Sequence, residues 1–287
     1  MLIEGTIDAP LVAERVTKRY RRVTALADVS LAIPAGSITA LVGPNAAGKS
    51  TLIKSFVGFE RPNAGRVTVV GVDPARDRAG ALQHLGYIPQ TPSLYRELSV
   101  ADHLDLAARL RPGFDRKSAV ERLTALGIPA RARGNELSGG QQAQLTLAVA
   151  LGTRAEIFLL DEPLASLDPL ARHEFLALLR DIARQRQATV LLSSHIVGEL
   201  ASVCDRLVVL GVGHVLYEGR VTDALAEHRV TDEIDAPDGV AVFPGGDGTL
   251  HALIRGGDGR APTLDEIALG YLAAGRTPSG SDLGWAT

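Results

Sequence analysis

Lysine occurs at only four positions in this chain, Lys18, Lys49, Lys54 and Lys117, and Lys49 stands in a setting suited to phosphate. Residues 43–51 read GPNAAGKST, between the short apolar run SITALV and the helical pattern LIKSFVGF. Gly43, the four residues Pro44, Asn45, Ala46 and Ala47, and then Gly48, Lys49 and Ser50 satisfy G-x-x-x-x-G-K-[ST], with Thr51 continuing into the helix. Such a loop aims backbone amides and a helix start at phosphate oxygens. Lys49 would neutralise charge on the β- and γ-phosphates, and the Ser50 hydroxyl would ligate Mg²⁺. Those roles require a nucleoside triphosphate. The plainer alternative is a glycine-rich turn with a surface lysine.

A phosphate cradle of this kind needs a carboxylate at the end of a neighbouring strand. The run IFLLDE (157–162) offers two: Asp161 as the outer partner of Mg²⁺ and Glu162 to polarise an attacking water. Without the cradle, the same pair reads as solvated turn residues. A second buried-strand pattern, ATVLLSSH, ends at His195, which is either structural or within reach of a γ-phosphate. One further stretch is odd as helix sequence. LSGGQQAQL (137–145) places Ser138, Gly139 and Gly140 where an amphipathic helix would begin, as if something must approach that backbone closely.

With these residues assembled, the chain resembles the nucleotide-binding subunit of ATP-binding cassette (ABC) transporters, whose signature is LSGGQ. The resemblance runs in order over about residues 11–225. It implies an α/β fold: a P-loop NTPase core with a mainly parallel sheet, an antiparallel β subdomain, an inserted helical subdomain and a small C-terminal extension. It also implies roles. Tyr20 matches an aromatic that stacks on adenine, Gln90 in GYIPQ the glutamine that senses metal and water, and Asp168 in LASLDP an aspartate that communicates across a dimer. His195 matches a switch histidine on γ-phosphate. In the family, ATP lies between the cradle of one subunit and the signature of another. Ser138, with the backbone at Gly139, Gly140 and Gln141, would then meet the γ-phosphate at a positive helix end.

Two departures stand out. Most members have glycine where this chain has Ala46, which would cost on the order of 1 kcal/mol if that residue needs positive φ. An arginine often follows the signature, whereas this chain has Gln142, Ala143 and Gln144.

The resemblance divides the chain into a nucleotide-binding domain (1–228), with its helical subdomain at about 91–154, and an extension (229–287). Within TPSLYREL, Leu94 and Tyr95 either dock a permease's coupling helix or cap the helical subdomain. The extension, rich in GGDG-type turns, resembles those of antibiotic or multidrug efflux subunits. Thr263 and Glu266 predict a capping box for its last helix, and the tail TPSGSDLGWAT reads as flexible.

Composition narrows the partners. A 46% hydrophobic fraction supports a sizeable core, and the single cysteine, Cys204, allows no internal disulfide and reads as packing. A net charge of −3 gives no electrostatic case for direct nucleic-acid binding. No apolar run approaches the roughly 20 residues of a membrane span, and the amino terminus lacks a basic segment before an apolar core. The expectation is therefore a cytoplasmic protein, peripheral at the membrane, using ATP and Mg²⁺, paired with a second nucleotide-binding subunit and integral permease subunits. The alternative is a soluble ABC ATPase acting on DNA or ribosomes. Against it, the chain has one cassette and no sustained heptads between Lys49 and Leu137. A P-loop kinase would leave LSGGQ unexplained.

Overall fold

Four stretches, ITALV, IFLLD, TVLLSS and RLVVLG, are apolar almost without interruption, a pattern suited to strands covered on both faces. The computed structural model describes residues 8–165, 167–235, 238–245 and 248–275. Its first elements are β1 (Leu11–Tyr20), β2 (Val23–Ile33), β3 (Ile38–Val42), α1 (Lys49–Val57), β4 (Ala64–Val69), α2 (Arg78–Leu82) and β5 (Leu85–Ile88). Then come α3 (Val100–Leu110), α4 (Arg116–Ala125), α5 (Gly139–Gly152), β6 (Ile157–Asp161), α6 (Pro169–Arg186), β7 (Thr189–Ser194), β8 (Arg206–Gly211) and β9 (His214–Arg220). The last are α7 (Val221–Glu227), β10 (His228–Thr231), β11 (Gly239–Pro244), β12 (Leu250–Arg255) and α8 (Leu264–Ala274).

The four apolar stretches form the middle of a six-stranded sheet ordered β5-β6-β7-β3-β8-β9, parallel except for β9. Strand periodicity then sorts their side chains between two cores. Ile38, Ala40, Val42, Phe158, Leu160, Val190 and Leu192 face α5 and α6, whereas Leu41, Leu159, Leu191 and Val208 face α1 and the antiparallel sheet β2-β1-β4.

The helices α3, α4 and α5 share a separate cluster of Val100, Leu104, Ala119, Leu123, Leu145 and Ala148. α5 carries a second apolar stripe, Leu147, Ala150 and Leu151, which packs into the main core. The helix that follows the signature is thereby tied to the sheet. Leu94 packs against the helical cluster, while the Tyr95 ring is 63% exposed, so the two candidate docking residues part company. His103 is structural: its Nδ1 donates to the Ser99 carbonyl at 2.7 Å, leaving Nε2 to accept from Tyr95 N–H at 3.0 Å.

The C-terminal sheet β10-β12-β11 and α8 contribute Val230, Phe243, Leu253, Ile267 and Tyr271 to the same core as the large sheet. His228 is fully buried there, with Nδ1 on the Ala224 carbonyl at 2.8 Å and Nε2 facing the Tyr271 hydroxyl at 3.0 Å. The capping box at Thr263 and Glu266 is formed. The tail TPSGSDLGWAT (277–287) lies outside the described residues. Cys204 is buried, and burial, with the neighbouring Asp205 charge, pushes its thiol up to about 12.

Candidate active site

The strand order brings the predicted chemistry together. β7 lies between β6 and β3, with Asp161 opposite Ser193 and Val42 opposite Ser194, so three carboxyl ends share one edge of the sheet. This is where open α/β sheets bind ligands. From β3 the chain enters the loop Gly43–Gly48 and then α1, which starts with no side-chain cap and no acidic residue in its first turn. Its opening amides are therefore suited to an anion. Gly48 has φ +107°, and a Cβ there would lie 2.4 Å from the Ala25 carbonyl oxygen, so only glycine fits. Ala46 does adopt positive φ, 65°, placing it among the few non-glycine residues in the left-handed region.

Lys49 is 5% exposed. Its Nζ donates to the Gly43 and Pro44 carbonyls at 2.6 and 3.2 Å and lies 3.1 Å from a Glu162 carboxylate oxygen. The other Glu162 oxygen is 2.8 Å from His195 Nδ1. Glu162 itself has φ 49°, a backbone conformation that costs of order 1–3 kcal/mol for a non-glycine residue and persists only where the surroundings enforce it.

Asp161 is fully buried. One of its oxygens, Oδ1, accepts from Ser50 Oγ at 2.8 Å and from Ser193 Oγ at 2.9 Å, while Oδ2 has no hydrogen-bond partner among the described residues. A buried acceptor without a donor is costly, and a bound cation would relieve it. The hard oxygen donors Ser50 and Asp161 suit Mg²⁺.

A pocket of about 370 Å³ is lined by Tyr20, Asn45, Ala46, Ala47, Gly48, Lys49, Ser50, Thr51, Gln90 and Glu162. Tyr20, at the end of β1, is 39% exposed, with Lys18 Nζ 4.9 Å from its ring centroid. Partial burial raises its phenol, a nearby Glu60 charge adding to the effect. A larger cavity, about 840 Å³, lies on the antiparallel sheet and shares no lining residue with this pocket; the Arg66–Glu14 and Arg15–Asp28 pairs already neutralise much of its charge.

The signature residues and Asp168 do not line the cradle pocket. Ser138 caps α5 in a reciprocal box, its Oγ accepting from Gln141 N–H at 3.3 Å while Gln141 Oε1 accepts from Ser138 N–H at 3.0 Å. Ser138 and Gly139 are exposed, and a Cβ added at Gly139 or Gly140 would meet nothing within 4 Å. Asp168 is exposed at the start of α6, where its side chain accepts from Ala171 N–H at 2.9 Å. Of the departures noted above, Gln142 donates to the Gly134 and Leu137 carbonyls at 3.3 and 3.1 Å, and Gln144 accepts from Arg122 at 2.8 Å.

The family model described as ABC transporter matches residues 26–165. The sulfate/thiosulfate import ATP-binding protein CysA of Mycobacterium tuberculosis is 35% identical over 269 residues, covering 88% of this chain and 73% of the relative. The chain belongs to the ABC transporter ATP-binding family. Export proteins match this ABC ATPase as well: the lipopolysaccharide export system ATP-binding protein LptB of Acidithiobacillus ferridurans is 33% identical, covering 78% of this chain and 92% of the relative. Among solved structures, an ATP-binding subunit of an ABC transporter superposes with TM-score 0.69 at 29% identity, over 75% of this chain and 92% of that one. A dimeric cassette in a post-hydrolysis state, bound to ADP and Pi, gives 0.67 at 25% identity, over 74% and 98%. The chain is thus an ATP-binding ATPase of mixed α/β fold. No described helix is long and apolar enough to cross a membrane.

Two residues of this ABC ATPase escape a reading of the sequence. Ser193 bonds both neighbouring carboxylate residues, and its only signal is a serine pair ending an apolar strand just before His195. Arg172 donates to the Leu164 and Leu167 carbonyls at 3.1 and 3.0 Å and lies 3.4 Å from Glu199, bracing the loop before Asp168. Nothing local in the sequence marks that role.

Proposed function

We propose that this ATPase closes as a dimer on ATP and drives a separately encoded membrane permease. The observation that carries the proposal is the division of the machinery. Lys49, Glu162, His195 and Asp161 converge at one edge of the sheet, while Ser138, Gly139, Gly140 and Asp168 lie outside that pocket, the first two exposed and both glycines open to approach. A second copy is the partner that would complete such a half-site, and the dimeric cassette among the structural neighbours supports it.

In this reading the cradle, from Gly43 to Thr51, holds the phosphates, with Tyr20 stacking on the base. Ser50, Asp161 and Gln90 would hold Mg²⁺, which when bound would offset negative charge on the phosphate oxygens. Glu162 orients a water and takes its proton at a carboxylate oxygen; His195, hydrogen-bonded to the same carboxylate, steadies both it and the γ-phosphate. Lys49 supplies fixed positive charge as the phosphoryl group transfers. Ser138 and the α5 start come from the opposite subunit, and Asp168 lies along the same dimer face. In this reading the exposed Tyr95 is the residue offered to the permease at the membrane's cytoplasmic side. The motor serves import or export alike, as the relatives of both kinds suggest.

A mixing experiment tests the shared site. Lys49→Ala lacks a working cradle and Ser138→Arg lacks a working signature, so each alone should hydrolyse ATP poorly. A mixed dimer of the two has one intact site, and turnover should reappear on mixing. Failure to regain activity, with both variants folded, would sink the shared-site reading.

A further inference from the structure

We infer that Ser193 is a positioning residue for hydrolysis, whose one hydroxyl fixes Asp161 and Glu162 together. The inference rests on the roles proposed above for those two carboxylates. Ser193 is fully buried in β7, directly opposite Asp161 in the parallel register. Its Oγ accepts from Glu162 N–H at 2.9 Å. That leaves the hydroxyl proton for Asp161 Oδ1, also 2.9 Å away. Donor and acceptor capacity are thus spent in different directions, one along the side chain that would face the metal and one along the backbone that would aim the base.

Each bond has a geometric consequence. On Asp161, the hydroxyls of Ser193 and Ser50 both converge on Oδ1, which sets the carboxylate's rotation and leaves Oδ2 as the buried oxygen without a partner. The carboxylate that would face a cation is thus held in one orientation beside the Ser50 hydroxyl. On Glu162, the Ser193 bond pins a peptide group whose residue sits at φ 49°, a conformation that relaxes unless something holds it. The same peptide sets where the Glu162 carboxylate lies between Lys49 and His195. His195 follows Ser193 by two residues, just past the end of β7, so the strand that carries the brace also leads directly into the histidine.

The test compares the full-length wild type with Ser193→Ala, Ser193→Cys and Ser193→Thr, with Glu162→Gln as a reference. The readouts are steady-state kcat and KM for ATP, affinity for a fluorescent ATP analogue with and without Mg²⁺, and thermal stability. Losing a supporting hydrogen bond of this kind typically costs about 10–100-fold in metal affinity or activity. Ser193→Ala should lower kcat by about that factor and shrink the Mg²⁺-dependent gain in nucleotide affinity by roughly tenfold. KM and metal-free affinity should stay within about threefold, because the cradle is untouched. Ser193→Thr, which keeps the hydroxyl, should recover most of the loss. Should Ser193→Ala fail to fold, Ser193→Cys carries the same test, since it keeps an atom at the γ position but offers only a weak donor and acceptor. Unchanged kcat and Mg²⁺ response in either variant overturns the inference. So does a parallel loss of kcat, metal-free binding and stability that threonine leaves in place. If Glu162→Gln abolishes turnover while the Ser193 variants keep it, only the role of Ser193 falls; if Glu162→Gln turns over normally, the reading of the site falls with it.

Discussion

Lys49 Nζ lies 3.1 Å from a Glu162 carboxylate oxygen, and both side chains are only 6% exposed. Breaking a buried pair by deleting one partner commonly costs about 3–5 kcal/mol because the other charge is left uncompensated. Here each partner has alternatives: Lys49 also donates to two cradle carbonyls, and Glu162 bonds His195. Glu162→Gln, which keeps an oxygen toward Lys49, should therefore leave the fold and ATP affinity nearly intact. With the proposed general base gone, turnover should fall by about 10²-fold or more. Phosphate release and fluorescent-nucleotide titration check the two halves, and undiminished kcat would contradict the role given to Glu162.

Gly139 and Gly140 open α5, yet an added Cβ at either meets nothing within 4 Å. Nothing inside the subunit asks for glycine there, and alanine is the better helix former by up to about 1 kcal/mol. Gly139→Ala and Gly140→Ala should thus melt at the same temperature as the wild type or higher. Their ATPase activity should drop at least about tenfold, because in the proposed dimer the new methyl groups stand where the opposite subunit's phosphates approach. A variant that is both more stable and fully active would remove the reason offered for these glycines.

What could be read from the sequence follows from how local each signal is. Gly43 through Ser50 is a contiguous motif whose geometry is set by its own glycines, and the consecutive apolar residues IFLL and VLL of β6 and β7 announce double burial. Long-range pairing is not local. That β7 would lie between β3 and β6, placing Ser193 against Asp161, depends on strand order, which no short window encodes. The same holds for Arg172, whose partners Leu164, Leu167 and Glu199 meet only when α6 packs beside the turn after His195. Leu94 and Tyr95 differ for a similar reason: adjacent residues in an irregular segment point in different directions, so one packs and one is exposed.

Ala46 occupies the left-handed region at φ 65° inside the cradle. Alanine there costs on the order of 1 kcal/mol, partly offset because glycine frees the unfolded chain. Ala46→Gly should raise stability by roughly 0.5 kcal/mol in chemical denaturation, with ATP affinity changed less than about threefold. A marked loss of affinity would mean that the methyl group itself contacts the nucleotide.

Val212 presents a similar strain in a different place. Gly211 pairs with His214 across the β8–β9 hairpin, so Val212 and Gly213 form the two-residue loop, with φ 48° and 80°. Two positive φ values are what a type I′ turn requires, and asparagine followed by glycine is its preferred sequence. Valine is poorly suited to that region, and its side chain is 70% exposed, so burial offers little compensation. The turn matters because Gly213 N–H donates to the Ala47 carbonyl at 3.1 Å and its own carbonyl accepts from Ala27 N–H at 2.9 Å, bracing the cradle. Val212→Asn should stabilise the protein by about 1 kcal/mol. A less stable asparagine variant would show that the valine makes a contact outweighing the strain.

The C-terminal helix carries its own pH dependence. Arg260 hydrogen-bonds the Glu266 carboxylate, and the Thr263 backbone and hydroxyl add to that bond, holding the group down from its ordinary 4.5 to about 2. A carboxylate depressed in the folded state contributes stability that is fully present above its unfolded value and disappears as pH falls through its folded value. The contribution of Glu266 should therefore be complete at neutral pH, decline below about 4.5 and be gone near 2. Glu266→Gln keeps a side-chain oxygen for the capping box but removes the charge opposite Arg260. Compared by chemical denaturation across that range, the variant should be less stable than the wild type at pH 7, and the gap should close as the wild-type carboxylate is protonated. A gap that stays constant with pH would assign the stabilisation to the cap's shape rather than to the ion pair. Because α8 packs Ile267 and Tyr271 into the main core, the loss should appear in the global transition and not as fraying of one helix.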